Sequence, residues 1–423
     1  MDDVSASLAM HDELLERRSV DVWVGAVPAF ALSRASRSLG RMIGPCRSAR
    51  AFAEEAQAEW QAAEIAGLAA MHHHDNGEPR NAPGFSLVLG GERPAASPFA
   101  RYPHVVPALV RYLNNHPALS FWFCGEQRGM RPDEGAGNRL EELAVALGWI
   151  ERAADRGEPV DLMTALAPLL GDRSELQLRS DGGIALAAIR MPERPAMLAA
   201  LAALFRSIVA RLVVADYREP LIDWHDELHD RFALPSALHR DMRIVLGDLD
   251  EHRLGMPAEL RGELEAWRTP PIACRLGEAT LELRPALEFG PAAGETQRWE
   301  IAIDGAGPDR VVVNGRWAAL RELGSGVRAV GVRRRVEGEG LVPVIDPLVI
   351  EWAWAGRAQR IELWASRPDG VPYSEPPVDA TDAQRRRTER ISVTTLEHGV
   401  EVARFWRETN PFTIDLRRVT VDA

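Results

Sequence analysis

The chain has 423 residues, 46% of them hydrophobic and 26% charged, so it is long enough for two or three domains with sizeable cores. Its net charge of −12 is the wrong sign for general attraction to nucleic acid or to anionic lipid, and we expect neither as a partner. All 50 of its Lys+Arg residues are arginine. This composition excludes sites that need a lysine ammonium, such as Walker-type phosphate loops and Schiff-base catalysis, and leaves guanidinium binding of phosphate or carboxylate open.

The cysteines and the apolar segments bear on the compartment. Cys46, Cys124 and Cys274 are far apart in sequence, which is typical of reduced thiols and fits no zinc or disulfide spacing. The longest apolar run, 197–215, contains two arginines, so we predict a buried helix rather than a membrane span. Residues 1–18 lack the apolar core of a secretory signal. We therefore expect a cytoplasmic protein without a membrane partner.

In the first 268 residues, helices alternate with a few short strands. Period-two alternation and glycine boundaries predict strands at 20–25, 84–91, 174–179 and 184–190, and an apolar strand after Asn115-His116-Pro117. The turn Asp181-Gly182-Gly183 predicts that the strands at 174–179 and 184–190 form a hairpin. Helical periodicity predicts helices at 51–70, 103–113, 140–150, 160–170 and 197–215, and a helical stretch at 236–267 broken near Gly255.

From Pro270 onwards the pattern is that of short β-strands. Alternating runs at 280–284, 299–304, 311–320, 348–354 and 360–366 predict a small sandwich. Asn314-Gly315 is a type I′ hairpin signal, and a last hairpin turns at His398-Gly399. We expect six tryptophan rings to fill the space between two sheets, with an aromatic ligand platform as the alternative. These are Trp299, Trp317, Trp352, Trp354, Trp364 and Trp406.

Several stretches follow one another along the chain as they do in a known family. They are VDVWVGAVPAF at 20–30, LVLGG with SPF at 87–99, NNHPALSFWFCG at 114–125, YREPLIDWHDELHDRFALP at 217–235, TLELRPALE at 280–288, the VVVNGR hairpin, and TIDLRR near the end. In these motifs the chain resembles the bacterial amidoligases, a domain of unknown function that usually follows a transglutaminase-like domain. The resemblance covers most of the chain.

The resemblance implies an α+β fold, in which a glutamine-synthetase-like antiparallel sheet with helices is followed by a C-terminal all-β, sandwich-like domain. We accordingly expect an N-terminal strand and basic segment at 1–50, an amidoligase-like core at 51–268, a β-sandwich-like domain at 269–370, and a Pro-rich loop with a C-terminal hairpin at 371–423. It also implies ATP- and Mg²⁺-dependent joining of a carboxylate to an amine, in which the carboxylate is phosphorylated first. Such chemistry needs several carboxylates around Mg²⁺ and cationic donors around the phosphoryl group.

At several positions where the resemblance implies polar residues, this chain has other side chains. Val27 and Ala29 replace a glutamate and a threonine, and Phe85 and Ser86 replace an Asn-His pair. Ala185 and Ala187 replace a glutamate and an arginine. Of the family's His-Arg-Ala-Glu strand, the arginine and the glutamate survive as Arg173 and Glu175. A single carboxylate holds Mg²⁺ only weakly without substrate phosphates.

Two sets of residues stay as candidates for a site. The catalytic candidates are Arg173, Glu175, Asp133, Glu134 and His116, with Glu175 also the candidate metal ligand. The cofactor-binding candidates are Gly84, Ser86, Gly90, Gly91 and Arg131, because glycines at the ends of a strand admit close approach to the backbone. The alternatives are a local turn or cap for His116 and solvated charge for the acidic and basic residues of the loop around 131–134.

Three further patterns allow a site or a structural role. His225 and His229 stand four apart, as in a two-histidine metal site, but a helix cap or a buried hydrogen-bonded network of His229, Asp230 and Arg231 is the favoured interpretation. The histidines at 72–74 suit adventitious metal binding. Glu282 and Arg284 alternate on a strand, which predicts a cross-strand salt bridge.

The departures from the family pattern predict a shortened, degenerate amidoligase-family protein. We expect it to act as a non-catalytic binding or assembly partner in peptide or amino-acid modification, with a protein or peptide partner and no cofactor. The alternative is an active carboxylate–amine ligase that uses ATP and Mg²⁺ in a rearranged site.

Overall fold

The computed structural model describes residues 2–27, 29–33, 36–39, 42–66, 69–70, 85–123, 139–170, 176–186, 189, 192, 194–224, 227–232, 234–267, 272–285, 296–304, 308–319, 321–323, 327–337, 344–345, 348–365, 389–409 and 420–421. The chain forms two compact units. The first is Met1–His229 with Leu238–Arg268, and the second is Asp230–Ala237 with Thr269–Ala423.

Helices and mainly antiparallel sheets make this a mixed α+β protein, as the sequence predicts. The helices of the described residues are α1 (Asp2–Arg17), α2 (Ala49–Ile65), α3 (Pro98–Arg101), α4 (Val105–Asn115), α5 (Ala118–Phe121), α6 (Arg139–Asp155), α7 (Leu162–Leu170), α8 (Pro195–Val214), α9 (Glu227–Phe232), α10 (Pro235–Glu251) and α11 (Ala258–Glu265). The glutamine-synthetase-like arrangement and the division into four segments stay predictions.

The strands divide between the two units. Those of the first unit are β1 (Trp23–Val27), β2 (Ala29–Ser33), β3 (Ser36–Leu39), β4 (Ile43–Cys46), β5 (Ala69–Ala70), β6 (Ser86–Gly90), β7 (Leu176–Leu178) and β8 (Ile184–Leu186). Those of the second unit are β9 (Ile272–Leu276), β10 (Ala279–Pro285), β11 (Thr296–Asp304), β12 (Arg310–Val313), β13 (Arg316–Trp317), β14 (Arg321–Leu323), β15 (Val327–Glu337), β16 (Val344–Ile345), β17 (Leu348–Trp354), β18 (Arg357–Ala365), β19 (Glu389–Glu397), β20 (Val400–Thr409) and β21 (Thr420–Val421).

The first unit is built around a five-stranded antiparallel sheet in the order β4-β1-β6-β8-β7. The predicted hairpin is present as β7 and β8, joined through Gly182 at a φ of +75°. The central strand β6 buries Leu87, Val88 and Leu89 in succession, which explains why its sequence is a continuous apolar run. A smaller sheet in the order β3-β2-β5 also belongs to this unit.

Helix α8 forms the centre of the helical layer and packs against α1, α2, α4 and α11. Among the described residues, it is the helix long and apolar enough to cross a membrane, but 89% of its apolar window is buried inside the protein. The predicted buried helix is therefore present. Its arginines are satisfied by partners inside the unit, as described below.

Two elements of the first unit differ from the sequence prediction. Residues 2–17 form helix α1, although the sequence predicts only a strand and a basic segment within residues 1–50. Its buried stripe includes the polar His11 and Asp12, which hid the amphipathic pattern. The apolar strand expected after Pro117 is instead the short helix α5 and a turn. A continuous apolar run does not distinguish a buried strand from a buried helix.

The second unit contains two sheets that share one hydrophobic core. Six strands follow the order β14-β15-β11-β10-β9-β21, with β16 beside β15, and the other sheet has the order β13-β12-β17-β18-β19-β20. Gln359 links the sheets, because its side chain donates to the Arg275 carbonyl (2.7 Å) and accepts from Trp352 Nε1 (3.0 Å). Both predicted hairpin turns are confirmed, with Asn314 and Gly315 at φ of 47° and 76°.

The tryptophans of the second unit follow the prediction only in part. Trp299 and Trp352 lie in the core, and Trp354 packs against it. Trp317 is 73% exposed, so the expectation that it fills the core is wrong. It follows a two-residue turn on a short edge strand, where the Arg310 guanidinium stacks 5.4 Å from its ring centroid. The side chains of the other two tryptophans lie outside the described residues.

Candidate functional site

Residues at three positions implied by the family resemblance meet on one face of the five-stranded sheet. Val27 of β1 lies directly opposite Ser86 of β6, and Val88 of β6 lies opposite Ala185 of β8. Ala185 in turn lies opposite Gln177 of β7. Directly paired residues point to the same side of a sheet, and alternate residues of one strand share a side. We call the surface formed by Val27, Ser86, Val88, Ala185 and Gln177 the neutral face.

The opposite side of the sheet packs on helices. Val24, Ala26, Leu87 and Leu89 on that side are fully buried. On the neutral face, Val27, Ser86 and Gln177 are partly exposed, whereas Val88 and Ala185 are buried. Cys46, which pairs with Val24, faces α2. Burial, followed by a hydrogen bond with Glu55 of α2, raises the pKa of its thiol to about 12. Cys46 is therefore a protonated, unreactive core residue at neutral pH.

The neutral face lacks ionisable side chains within its described strand residues. Arg179, one residue beyond β7, is engaged with Asp181 at 2.7 Å. That hydrogen bond, together with the amide of Gly183, holds the pKa of the Asp181 carboxyl below its usual range. Such a surface offers a hydroxyl, an amide and apolar groups, none of which is a strong Mg²⁺ ligand or a general base.

The glycines at the end of β6 are closely approached by the protein's own backbone. A Cβ added to Gly91 would lie 2.5 Å from the Ser97 nitrogen and 2.6 Å from the Ala96 carbonyl carbon. A Cβ on Gly90 would meet the Gly183 α-carbon at an ordinary 3.5 Å. The close approach at Gly91 therefore serves the packing of the segment before α3, whose Ser97 hydroxyl also donates to the Gly182 carbonyl (2.8 Å). A cofactor role for Ser86, Gly90 and Gly91 stays a prediction.

His116 ends helix α4 and is held by a carboxylate from a distant helix. Its Nδ1 lies 2.9 Å from Asp241 Oδ1 of α10, while Asp241 Oδ2 accepts from the Ala118 amide (2.9 Å). The Tyr112 ring lies 4.7 Å from the His116 ring between centroids. The expected local cap is made by the His116 amide, which donates to the Tyr112 carbonyl. The His116 side chain instead joins α4 to α10 through Asp241, which is a structural role. A catalytic role for His116 stays a prediction.

An extended segment, residues 216–224, lies across the end of α4 and is held by side chains. Asn115 Nδ2 donates to the Pro220 carbonyl (2.9 Å), and Asn115 Oδ1 accepts from the Ile222 amide (3.0 Å). Asn114 Nδ2 donates to the Ile222 carbonyl (3.0 Å). The two asparagine side chains thus satisfy backbone groups of this segment, as a neighbouring strand would. They join the NNHPALSFWFCG stretch to the YREPLIDWHDELHDRFALP stretch.

A scan against protein-family models matches residues 41–417 to the family described as "Putative amidoligase enzyme (DUF2126)". The chain belongs to this amidoligase family. The match covers both units and begins after α1. Searches of curated proteins and of solved structures found no match.

Among the described residues of this amidoligase-family chain, Arg111, Arg206 and Arg211 are buried, and each has carboxylate and carbonyl partners. Arg111 binds Glu151 (2.9 and 3.3 Å) and the Glu219 carbonyl. Arg211 binds Asp248 (2.8 and 3.2 Å) and the Ala215 carbonyl.

Arg206 of α8 binds Asp12 and donates to the carbonyls of Val22 (3.0 Å) and Arg47 (2.7 Å). All three guanidinium groups are occupied inside the first unit and are not available to a phosphate. Sequence reasoning missed these pairs, because their members are many residues apart and carry no local motif.

Most of the predicted site residues lie outside the described residues. They are Gly84, Arg131, Asp133, Glu134, Arg173 and Glu175. His225 and the side chain of His229 are outside them as well. Within the described part of the chain, no group of three His, Cys, Asp or Glu side chains is arranged to hold a metal ion.

Two other sequence interpretations concern the second unit. Arg284 binds Glu282 at 3.0 Å along the same strand and lies directly opposite Glu300 of β11, and the expected cross-strand salt bridge stays a prediction. Alternate residues of one strand share a face and are close enough for long side chains to meet. Cys274 is a free, buried cysteine, and burial raises the pKa of its thiol to about 12.

Proposed function

We propose that this protein is a degenerate, non-catalytic member of the amidoligase family with a glutamine-synthetase-like core. In this proposal it is a cytoplasmic binding or assembly partner in a peptide or amino-acid modification system, associated with a transglutaminase-like domain. Its partner is a protein or peptide, and it uses neither ATP nor Mg²⁺.

The neutral face is the observation that supports this proposal. Val27, Ser86 and Ala185 are on one side of the sheet, at positions where the family pattern implies a glutamate, a histidine and another glutamate. Carboxylate phosphorylation depends on several carboxylates around Mg²⁺ and on cations around the phosphoryl group. Loss of one electrostatic partner lowers a rate by ~10²- to 10³-fold. Replacement of several at once is expected to abolish ligase activity.

A titration with Mg-ATP tests the proposal. Thermal unfolding of the full chain is followed at increasing nucleotide up to millimolar concentration. A ligand at 100 times its dissociation constant stabilises the folded state by about 2.7 kcal/mol, which raises the unfolding temperature. For this protein we expect Mg-ATP to leave the unfolding temperature unchanged. Calorimetric titration with a peptide that carries a free carboxylate and a free amine then tests partner binding, and we expect it to be independent of Mg-ATP.

The alternative is an active ATP- and Mg²⁺-dependent carboxylate–amine ligase, which the family description as an enzyme favours. Its site would use Arg173, Glu175, Asp133 and Glu134. A clear Mg-ATP shift in the wild type that is lost in Glu175→Ala would establish this alternative and overturn the non-catalytic proposal. Glu278→Ala, an exposed carboxylate of the second unit, is the matched control and should leave any shift unchanged.

A further inference from the structure

Helix α1 buries a histidine against α8. The His11 side chain is 0% exposed, and its Nε2 lies 2.8 Å from Ser207 Oγ. Its Nδ1 is buried and has no hydrogen-bond partner among the described residues. Leu8 and Leu15 are buried on the same stripe of α1. The docked helix therefore accommodates a neutral imidazole with one nitrogen facing apolar surroundings.

The charges nearest His11 are Arg206 of α8 and Asp12 of α1 itself. Asp12 is committed to several partners, because it binds Arg206 and accepts from the amides of Ala49 (2.8 Å) and Arg50 (3.1 Å) at the start of α2. A proton on His11 would place a second cation near Arg206, and the nearby Asp12 carboxylate is already bound to Arg206. The proton would also leave a buried N–H donor unpaired.

Several charged groups on two other helices that pack on α1 have partners of their own. On α2, Arg50 and Glu54 form an exposed pair at 3.1 Å, and Glu55 accepts from the Gly44 amide. On α11, Glu259 accepts from the Ser7 hydroxyl (2.8 Å). The pKa of Glu259 is lowered by its own amide and by Ser7. These carboxylates are therefore not placed to neutralise an imidazolium at position 11.

We propose that α1 is an acid-released latch, in which protonation of His11 detaches α1 from α2 and α8 and exposes the apolar surface beneath it. The segment lies before residue 41, where the range matched by the amidoligase family begins. The latch is a regulatory device that operates independently of the proposed non-catalytic function.

The direction of the pH dependence follows from burial. Burial, and then the nearby Arg206, lower the pKa of docked His11 from 6.5 to about 4, whereas an undocked imidazole keeps its ordinary pKa. The undocked state therefore binds more protons between these values. Release of α1 increases as the pH falls below 6.5 and levels off near 4.

Hydrogen exchange measured by mass spectrometry on the full chain tests the latch. After correction for intrinsic rates, opening of α1 should rise on the order of 10- to 100-fold between pH 7 and pH 4.5, while α4 and α10 stay protected. His11→Gln keeps a polar group near Ser207 but does not bind a proton in this range, so its α1 should not respond. Release that persists in His11→Gln would assign the effect to Asp12 and overturn the proposal.

Two other outcomes also overturn the latch. One is an unchanged α1 between pH 7 and pH 4.5, and the other is simultaneous loss of protection in α1, α4 and α10, which is acid unfolding of the unit. If His11→Gln does not fold, the wild-type titration decides. Opening of α1 must then change by no more than about one decade per pH unit, the slope for a single proton. A steeper dependence contradicts control by His11.

Discussion

The backbone of Ser97 lies against Gly91, so closely that a Cβ at position 91 would be 2.5 Å from the Ser97 nitrogen. Two consecutive glycines, Gly90 and Gly91, thus differ in what surrounds them, although the sequence presents them as one motif. Gly90 has ordinary space for a methyl group near Gly183, at 3.5 Å. Because only Gly91 is crowded by backbone, substitutions at the two glycines can distinguish a packing role from a ligand-binding role.

We predict that Gly91→Ala destabilises the protein by about 2 to 4 kcal/mol, because backbone atoms must move to relieve the clash. Gly90→Ala, its matched control, should change the free energy of unfolding by less than about 1 kcal/mol. Urea unfolding of both variants measures the difference. Equal effects at the two positions would contradict a packing role specific to Gly91.

Asp12 should be essential to the stability of the first unit. Asp12→Ala leaves the Arg206 guanidinium buried without its carboxylate and removes the acceptor for two amides of α2, so we expect a loss of about 3 to 5 kcal/mol. Glu54→Ala breaks the exposed pair with Arg50 and should cost about 0.5 kcal/mol or less. Denaturant midpoints at pH 7 compare the two. A small effect of Asp12→Ala would show that the buried pair is not stabilising.

Asn115 should control the extended segment 216–224. Asn115→Leu removes the bonds to the Pro220 carbonyl and the Ile222 amide, and we expect destabilisation by about 2 to 3 kcal/mol. Hydrogen exchange should increase first in residues 217–224. Asn114→Ala removes only an exposed side-chain bond to this segment, at Ile222, and should cost about 1 kcal/mol or less. If both variants leave the segment equally protected, the asparagine side chains do not hold it.

Trp299 and Trp352, both buried among the described residues of the second unit, should respond differently to the same substitution. Trp352→Phe leaves Gln359 Oε1 without its donor, so we expect a loss of about 2 to 3 kcal/mol. Trp299 Nε1 has no acceptor among the described residues, and Trp299→Phe removes a buried unpaired donor at the expense of a small cavity. We expect its net effect to be about 1 kcal/mol or less. Thermal unfolding of the two variants measures the contrast, and a larger loss for Trp299→Phe would contradict it.

Local signals predicted the elements that depend on local chemistry. Asn314-Gly315 gave the correct hairpin because both residues adopt positive φ at low cost, and the turn before Ile184 gave the β7–β8 pair. Helix α1 was missed because its buried stripe contains His11 and Asp12, whose partners lie on α8 and α2.

The neutral face could be approached from sequence only through the family resemblance. The individual residues Val27, Ser86 and Ala185 have no chemical signal of their own, and their convergence follows from strand register. His116 was singled out as a catalytic candidate or a local cap, whereas its side-chain partner Asp241 lies 125 residues away and no spacing rule connects them. Such long-range pairs depend on tertiary packing.

The buried guanidinium groups show a structural role for arginine in a chain that has no lysine. Arg206 joins α1, the residue before β1 and the residue after β4 at a single point, through Asp12, Val22 and Arg47. A planar fork with five donors serves three directions at once, whereas an ammonium at the end of a flexible chain does not fix their angles. Arg206→Lys would therefore keep the charge while loosening a three-way joint. In this fold, arginine sets geometry as well as charge.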